Sequence, residues 1–302
     1  MELHQLAYVV AVAEEANFTR AAERLHVAQP GVSAQVRRLE RELGQPLFDR
    51  SGRTVRLTGV GAAVLPHARA ALAAVEAVRE TVSEHDGLVR GQVAMGMVTS
   101  AGPVALPEFL AGFAEHYPGV EITLAEANSD VMAEALREGR LDVAVIGLAD
   151  GVPAGLATQV LLDEELVAVT GPGDDFVRRA DVTLADLAGR SLICLPKGTG
   201  VRGVLDRAFA AAGLRPRVTI EASDPNVLAQ LAMRDLGVAL VPESLARYYA
   251  AELHRLPLRP SLRGQLALAW RATGPAGPAA RALIQFARTT LDGASSSAEG
   301  AR

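Results

Sequence analysis

Apolar residues in the first sixty positions recur at helical spacing. Leu3, Leu6, Val10 and Ala13 share one face and predict a helix over 2–15. Thr19 is placed to cap a second helix over 20–26, with Glu23 near the reciprocal capping position. His26, Val27 and Ala28 form the turn. Pro30 then stands in the first turn of a third helix, where its missing N–H costs nothing. Val32, Val36, Leu39 and Leu43 give that helix an apolar stripe, and Gly44 ends it. Gln29, Ser33 and Arg37 fall on another face, flanked by Gln35 and Arg38. Two helices joined by a tight turn, the second polar and cationic on one side, is the layout of a helix placed in a DNA major groove. Residues 46–58 follow as two short strands around a Ser51-Gly52 turn, with Arg50 and Arg53 at the tip. This is a wing whose arginines reach phosphate or the minor groove.

Beyond the wing the periodicity changes. Residues 59–85 are Ala-rich, and Val64, Ala68, Ala71, Val75, Val78 and Val82 form a heptad seam that suits pairing between subunits. The competing reading is a helix packed within its own domain; it is weaker because nothing close downstream would cover the seam. Pro66 is expected to kink the helix near its start. From Val93 the pattern alternates: strands at 92–98, 120–126 and 141–147, helices at 103–116 and 130–138. A second set follows, with strands near 165–170, 191–195, 217–221 and 237–241 and helices near 201–212, 226–234 and 243–250. Such alternation predicts two α/β units with parallel sheets and right-handed crossovers. A late strand at 266–271 and a closing helix at 278–291 are expected to rejoin the first unit, so that the chain crosses between lobes twice. The Ser-, Ala- and Gly-rich tail 293–302 is expected to be disordered.

The chain is thus read as α/β, with an N-terminal winged helix-turn-helix (1–58), a long linker helix (59–88) and a two-lobed effector half (89–292). The first lobe takes about 89–163 and 266–292, the second about 164–265.

Charge sharpens the contrast between the halves. The whole chain carries a net charge of -5, yet residues 18–56 hold eight arginines against four acids, a local excess of +4. Lys197 is the only lysine. The single cysteine, Cys194, cannot form an internal disulfide, and its apolar flanks place it in a buried strand as an inert thiol. No apolar run approaches the ~18 residues needed to span a bilayer. The start of the chain has no basic segment ahead of an apolar stretch, so no secretory signal is read. A cytoplasmic protein without a membrane partner is expected.

Specific motifs now carry a resemblance. Phe18-Thr19-x-Ala21-Ala22-x-x-Leu25, Gln29-Pro30-x-x-Ser33-x-Gln35-x-x-x-Leu39-Glu40, Leu43-Gly44-x-x-Leu47-Phe48-x-Arg50 and Leu57-Thr58 make residues 3–57 resemble the DNA-binding module of the LysR-type transcriptional regulators. Ala28 and Ala34 depart from the pattern, standing where a small polar and a basic or polar residue are usual. The resemblance implies a dimerisation helix after the wing and an effector domain like a periplasmic binding protein. It implies double-stranded DNA, a small-molecule effector and the chain itself as partners, as a homodimer or a homotetramer, with RNA polymerase a further candidate. A dimer would set two recognition helices about 34 Å apart on one face of the duplex. Family members usually carry a second glycine where Asp235 stands, which here must end a helix in a less permissive conformation.

By residue type, Gln29 and Gln35 suit adenine, an arginine suits guanine, and Ser33 suits base edge or phosphate. Pro30 would pack on sugar or a thymine methyl. The candidate DNA contacts are Thr19, Gln29, Pro30, Ser33, Gln35, Arg37, Arg38, Arg50 and Arg53. The competing reading for Arg38, Arg41 and Arg56 is a solvated face paired with Glu40 and Glu42.

In doubly wound folds, ligands bind beyond the C-terminal ends of strands, where helix N-termini converge. The candidates are Thr99, Ser100, Asn128 and Gly147 in the first unit, and Lys197, Gly198, Thr199, Arg202, Asp224 and Pro225 in the second. Hydroxyls, free N–H groups and Lys197 favour a small anion. Simple helix capping competes at Thr99, Ser100 and Asn226. Gly198-Thr-Gly200-Val-Arg-Gly203 also fits a dinucleotide fingerprint, with Glu221 downstream. The alternative function is therefore an NAD-dependent α/β oxidoreductase. A regulator is preferred over this enzyme, because no G-x-S-x-G elbow or metal-spaced cluster occurs and the six histidines are scattered. No cofactor and no metal are expected. A plain solute-binding protein would leave residues 1–58 unexplained.

Overall fold

The computed structural model describes residues 1–52, 54–85, 89–99, 106–273 and 277–297. Helices α1 (Leu3–Glu15), α2 (Phe18–Arg24) and α3 (Gln29–Leu43) enclose one small core, in which Val9, Val12, Val32, Val36 and Leu39 are fully buried. Thr19 is not the cap of α2. Asn17 is, because its side-chain oxygen reaches the N–H groups of both Thr19 and Arg20 and satisfies two orphan donors at once. Helix α3 starts on Gln29, carries Pro30 in its first turn and closes on Gly44 in the left-handed region at φ 72°. Its buried stripe stops at Leu39; Leu43, in the last turn, is exposed. Strands β1 (Phe48–Asp49) and β2 (Arg56–Leu57) pair antiparallel as the wing, and Leu47 and Phe48 seal the core.

Helix α4 (Gly59–His85) runs unbroken through Pro66. Its start lies so close to the wing that a Cβ on Gly61 would sit 2.0 Å from the Leu47 carbonyl oxygen. The proximal half of the seam is not free for a partner. Ala68 is buried, and Val64 and Ala71 pack against the N-terminal core. The cover comes from α1, upstream in sequence, so the competing reading of a helix packed within its own domain holds for this half. Val78 remains 66% exposed on the distal half. The Val82 side chain lies outside the described residues.

The effector half starts with β3 (Arg90–Met97), α5 (Leu106–His116), β4 (Gly119–Glu126), α6 (Ser129–Arg137) and β5 (Val143–Leu148). The long β6 (Leu156–Thr170) leads into the second lobe. There follow β7 (Val182–Thr183), α7 (Leu184–Ala188), β8 (Leu192–Cys194), α8 (Gly200–Ala211), β9 (Val218–Glu221), α9 (Pro225–Ala232), β10 (Val238–Pro242) and α10 (Glu243–Tyr248). The equally long β11 (His254–Arg271) returns, and α11 (Pro278–Ser297) closes the chain.

The sheet order is β4-β3-β5-β11-β6-β10-β8-β9, with β7 beside β11. The two units are thus not separate parallel sheets. Parallel triplets stand at either end, welded by the antiparallel pair β6–β11. Each lobe keeps its own core, Phe113 with Val143 and Leu283 in one, Leu192 with Phe209 and Leu256 in the other. Cys194 is buried, and burial pushes its thiol up to about 12, so it is inert. Asp235 does adopt the left-handed region, at φ 56°. Residues 293–297 are helical rather than disordered, and 298–302 lie outside the described residues.

Candidate functional site

On α3, Pro30, Arg37, Arg38 and Arg41 are exposed, and Gln29 and Ser33 are half-buried. The acids expected to neutralise these arginines are engaged elsewhere. Glu40 pairs with Arg50 at 2.8 Å, and Glu42 with the N-terminal ammonium of Met1. Arg37, Arg38 and Arg41 make no ion pair with any described residue. An uncompensated cationic ridge is what a polyphosphate backbone requires. Thr19, in the first turn of α2, is also exposed.

Two expected contacts have other employment. The Gln5 amide, itself buried, donates to the Gln35 side-chain oxygen at 3.0 Å, so Gln35 ties α3 to α1. Arg50 lies over the Phe18 ring at 4.7 Å while bonded to Glu40, which makes it a strut of the wing. Arg53 lies outside the described residues. Sequence reasoning had Glu40 only as a motif residue and a surface counter-ion, and missed its tie to the wing: its other oxygen accepts from the N–H groups of Leu47 and Phe48 at 2.9 and 3.1 Å. The available signal was an acid retained in the middle of a basic helix.

In the effector half, a cavity of about 90 Å³ lies between the lobes. Thr99, Asn128, Gly147, Thr199 and Pro225 line it, as the strand-end rule predicted. Ser100 lies outside the described residues. The lobes meet across the cavity in backbone contact. The Asp130 N–H donates to the Gly198 carbonyl at 3.1 Å, and the Asn128 amide to the Lys197 carbonyl at 3.3 Å.

The glycine loop takes its meaning from that contact. A Cβ on Gly200 would lie 2.5 Å from the Gly147 carbonyl carbon, one on Gly203 2.5 Å from the Ala149 Cβ, and one on Gly198 against the Asp130 carboxylate. The glycines admit the opposite lobe, so the loop has no room for a pyrophosphate and the dinucleotide reading is set aside. Gly200→Ala should therefore pry the lobes apart and cost about 2 kcal/mol, as overpacking does. Thermal melting of the effector domain checks this; an unchanged midpoint would show that the contact is slack.

Four candidates do not line the cavity: Gly198, which carries the inter-lobe contact, and three more. Arg202 is buried in the first turn of α8, where it bonds Asp206 at 3.0 Å and also Glu221. Those carboxylates hold its guanidinium charged more firmly than usual, although burial alone opposes the charge. Asp224 caps α9, accepting from the Asn226 N–H at 2.9 Å. Lys197 is exposed and contributes only its carbonyl. Sequence reasoning missed the lining from the central strands: Leu162, Glu164 and Leu166 on β6, and Gly264 to Leu266 on β11.

A cationic helix and wing on one half, and a closed cleft for a small molecule on the other, define a class: ligand-sensing regulators that bind DNA. Residues 3–62 match the bacterial regulatory helix-turn-helix protein, lysR family, and residues 86–292 match the LysR substrate binding domain. The chain belongs to the LysR family of transcriptional regulators. It is 34% identical over 297 residues to the HTH-type transcriptional regulator IlvR of Caulobacter vibrioides, covering 97% of this chain and 99% of that one. A full-length OxyR carrying one substitution, from Pseudomonas aeruginosa, is similar in structure, with TM-score 0.74, 28% identity and 96% of each chain covered. CbnR complexed with its target DNA is similar at TM-score 0.59 and 25% identity, over 96% of this chain and 99% of that one. No described helix is long and apolar enough to cross a membrane.

Proposed function

We propose that this regulator binds double-stranded DNA as a homodimer or homotetramer in the cytoplasm, and that a small molecule held between the lobes changes that binding. It acts by recognition, not by catalysis. The observation that carries the reading is the uncompensated ridge of Arg37, Arg38 and Arg41 on the same chain as a latched two-lobed cavity. Gln29, Pro30 and Ser33 at the start of α3 are the base-reading group, and Arg37 and Arg38 the phosphate-binding group. The effector site comprises Thr99, Asn128, Gly147, Thr199 and Pro225. With Lys197 outside the cavity and Arg202 paired, an anionic group on the effector is left with the N-terminus of α8. It has no side-chain cap and no first-turn acid, whereas at α6 the N–H groups of Asp130 and Val131 are taken by the Gly198 carbonyl and the Asp130 carboxylate.

Binding of the purified chain to random duplex DNA tests this. If the exposed arginines of both subunits in a dimer meet phosphates, affinity should fall about a thousandfold between 50 and 200 mM salt. The double substitution Arg37→Ala, Arg38→Ala should weaken binding at every sequence and lower the salt slope by about one per contact removed. Absence of binding at the lower salt, or binding insensitive to salt, would refute the reading.

A further inference from the structure

Among the described residues lining the cavity, one side chain is charged, and it is an acid. Glu164 sits at the middle of β6, where alternation turns Leu162, Glu164 and Leu166 to the cavity. Its neighbours on the other face are satisfied: Asp163 pairs with Arg263 at 2.7 Å, and Glu165 accepts from Ser261 at 3.2 Å. Glu164 itself makes no ion pair with any described residue. Its two oxygens accept from the backbone N–H and the hydroxyl of Ser244, at 2.8 and 3.0 Å, which fixes the carboxylate in place. Directly across the strand pair stands Gly264, where a Cβ would lie 2.9 Å from the Leu166 side chain, so the apolar wall packs close beside the carboxylate. The rest of the wall is largely apolar, with Val98, Leu195, Val201 and Leu245. The uncapped N-terminus of α8 opens on the same cavity.

A half-buried carboxylate without a counter-ion in an apolar cavity is a site for a cation of matching size. We propose that the effector is a compact zwitterion with an apolar body, its protonated amine on Glu164 and its carboxylate at the N-terminus of α8. This rests on the inter-lobe cavity being the effector site. It also reverses the emphasis drawn from Lys197: the discriminating contact is to the positive end of the ligand.

Calorimetric titration of the full chain tests it, using valine, leucine and phenylalanine, each beside the acid that lacks only the amine. At least one amino acid should bind, and its deaminated counterpart at least tenfold more weakly. Glu164→Gln, which keeps an acceptor for Ser244, should erase that difference. Equal binding of the deaminated acid, a preference that survives E164Q, or no binding by any of the three amino acids up to about 10 mM would overturn the inference. Leu162→Trp, which fills the cavity, separates the two readings. If it abolishes binding of both members of a pair that bind equally, the cavity stands and the zwitterion falls. If it leaves binding intact, the cavity assignment falls as well.

Discussion

Glu40→Ala should cost the DNA-binding domain about 3 kcal/mol and most of its affinity for DNA. The Glu40 carboxylate connects the recognition helix to the wing at three points. One oxygen holds the N–H groups of Leu47 and Phe48, and the other holds Arg50. Leu47 and Phe48 are buried, so truncation strands two backbone donors away from water, at about 1–3 kcal/mol each. Arg50 would lose its partner and keep only the Phe18 ring. A domain of this size has a total stability of about 3–9 kcal/mol. Glu40→Gln is the control. Its carbonyl still accepts from the backbone while the ion pair is lost, a cost of about 1 kcal/mol or less for a pair this accessible. Melting curves of the two variants, read beside their DNA affinities, should separate widely. If the Ala variant melts with the wild type, the wing is held by packing alone.

What the sequence made legible follows from the length scale of each signal. The helix-turn-helix and the β-α alternation are local patterns, and their elements lie within a few residues of expectation at α1, α3, β3, β4 and α8. The long strands β6 and β11 were seen only in part, as 165–170 and 266–271. Their middles carry Asp163, Glu164, Glu165, Pro257, Pro260 and Arg263, which interrupt the apolar alternation that marks a strand. These middles form the cavity floor, so the lining residue with charge was invisible for the same reason. Residues assigned by type alone fared unevenly. Thr199 and Pro225 reach the cavity, but Arg202, Gln35 and Arg50 are paired with Glu221, Gln5 and Glu40. Each partner lies ten or more residues away, a distance at which single-sequence periodicity is silent. The glycine loop shows the converse hazard: a fingerprint for a ligand is also the composition that lets two backbones touch.

The second large effect is expected at the joint between the halves. Arg69 of α4 is 8% exposed and bridges Glu14, at the end of α1, at 3.0 Å and Glu138, which caps the end of α6, at 3.6 Å. Its Nε and Nη1 have no hydrogen-bond partner among the described residues. Glu14→Ala would leave this buried cation with the longer contact only, and should cost about 3 kcal/mol. Arg69→Met should be nearly neutral, because Glu14 keeps Arg24 and Glu138 keeps Arg140. If both outcomes are measured, the arginine serves orientation rather than stability. Helix α6 starts at the cavity with Ser129, latches the opposite lobe through Asp130, and ends on Arg69. It is a nine-residue rod between the cavity and the DNA-binding domain. A double-mutant cycle tests the rod without the natural effector. Gly200→Ala, which displaces the lobes, should change DNA affinity in the wild-type background and lose at least about 0.5 kcal/mol of that effect in the R69M background. Strict additivity would mean that cleft and recognition helix communicate by another route, such as the pairing of subunits along the distal half of α4.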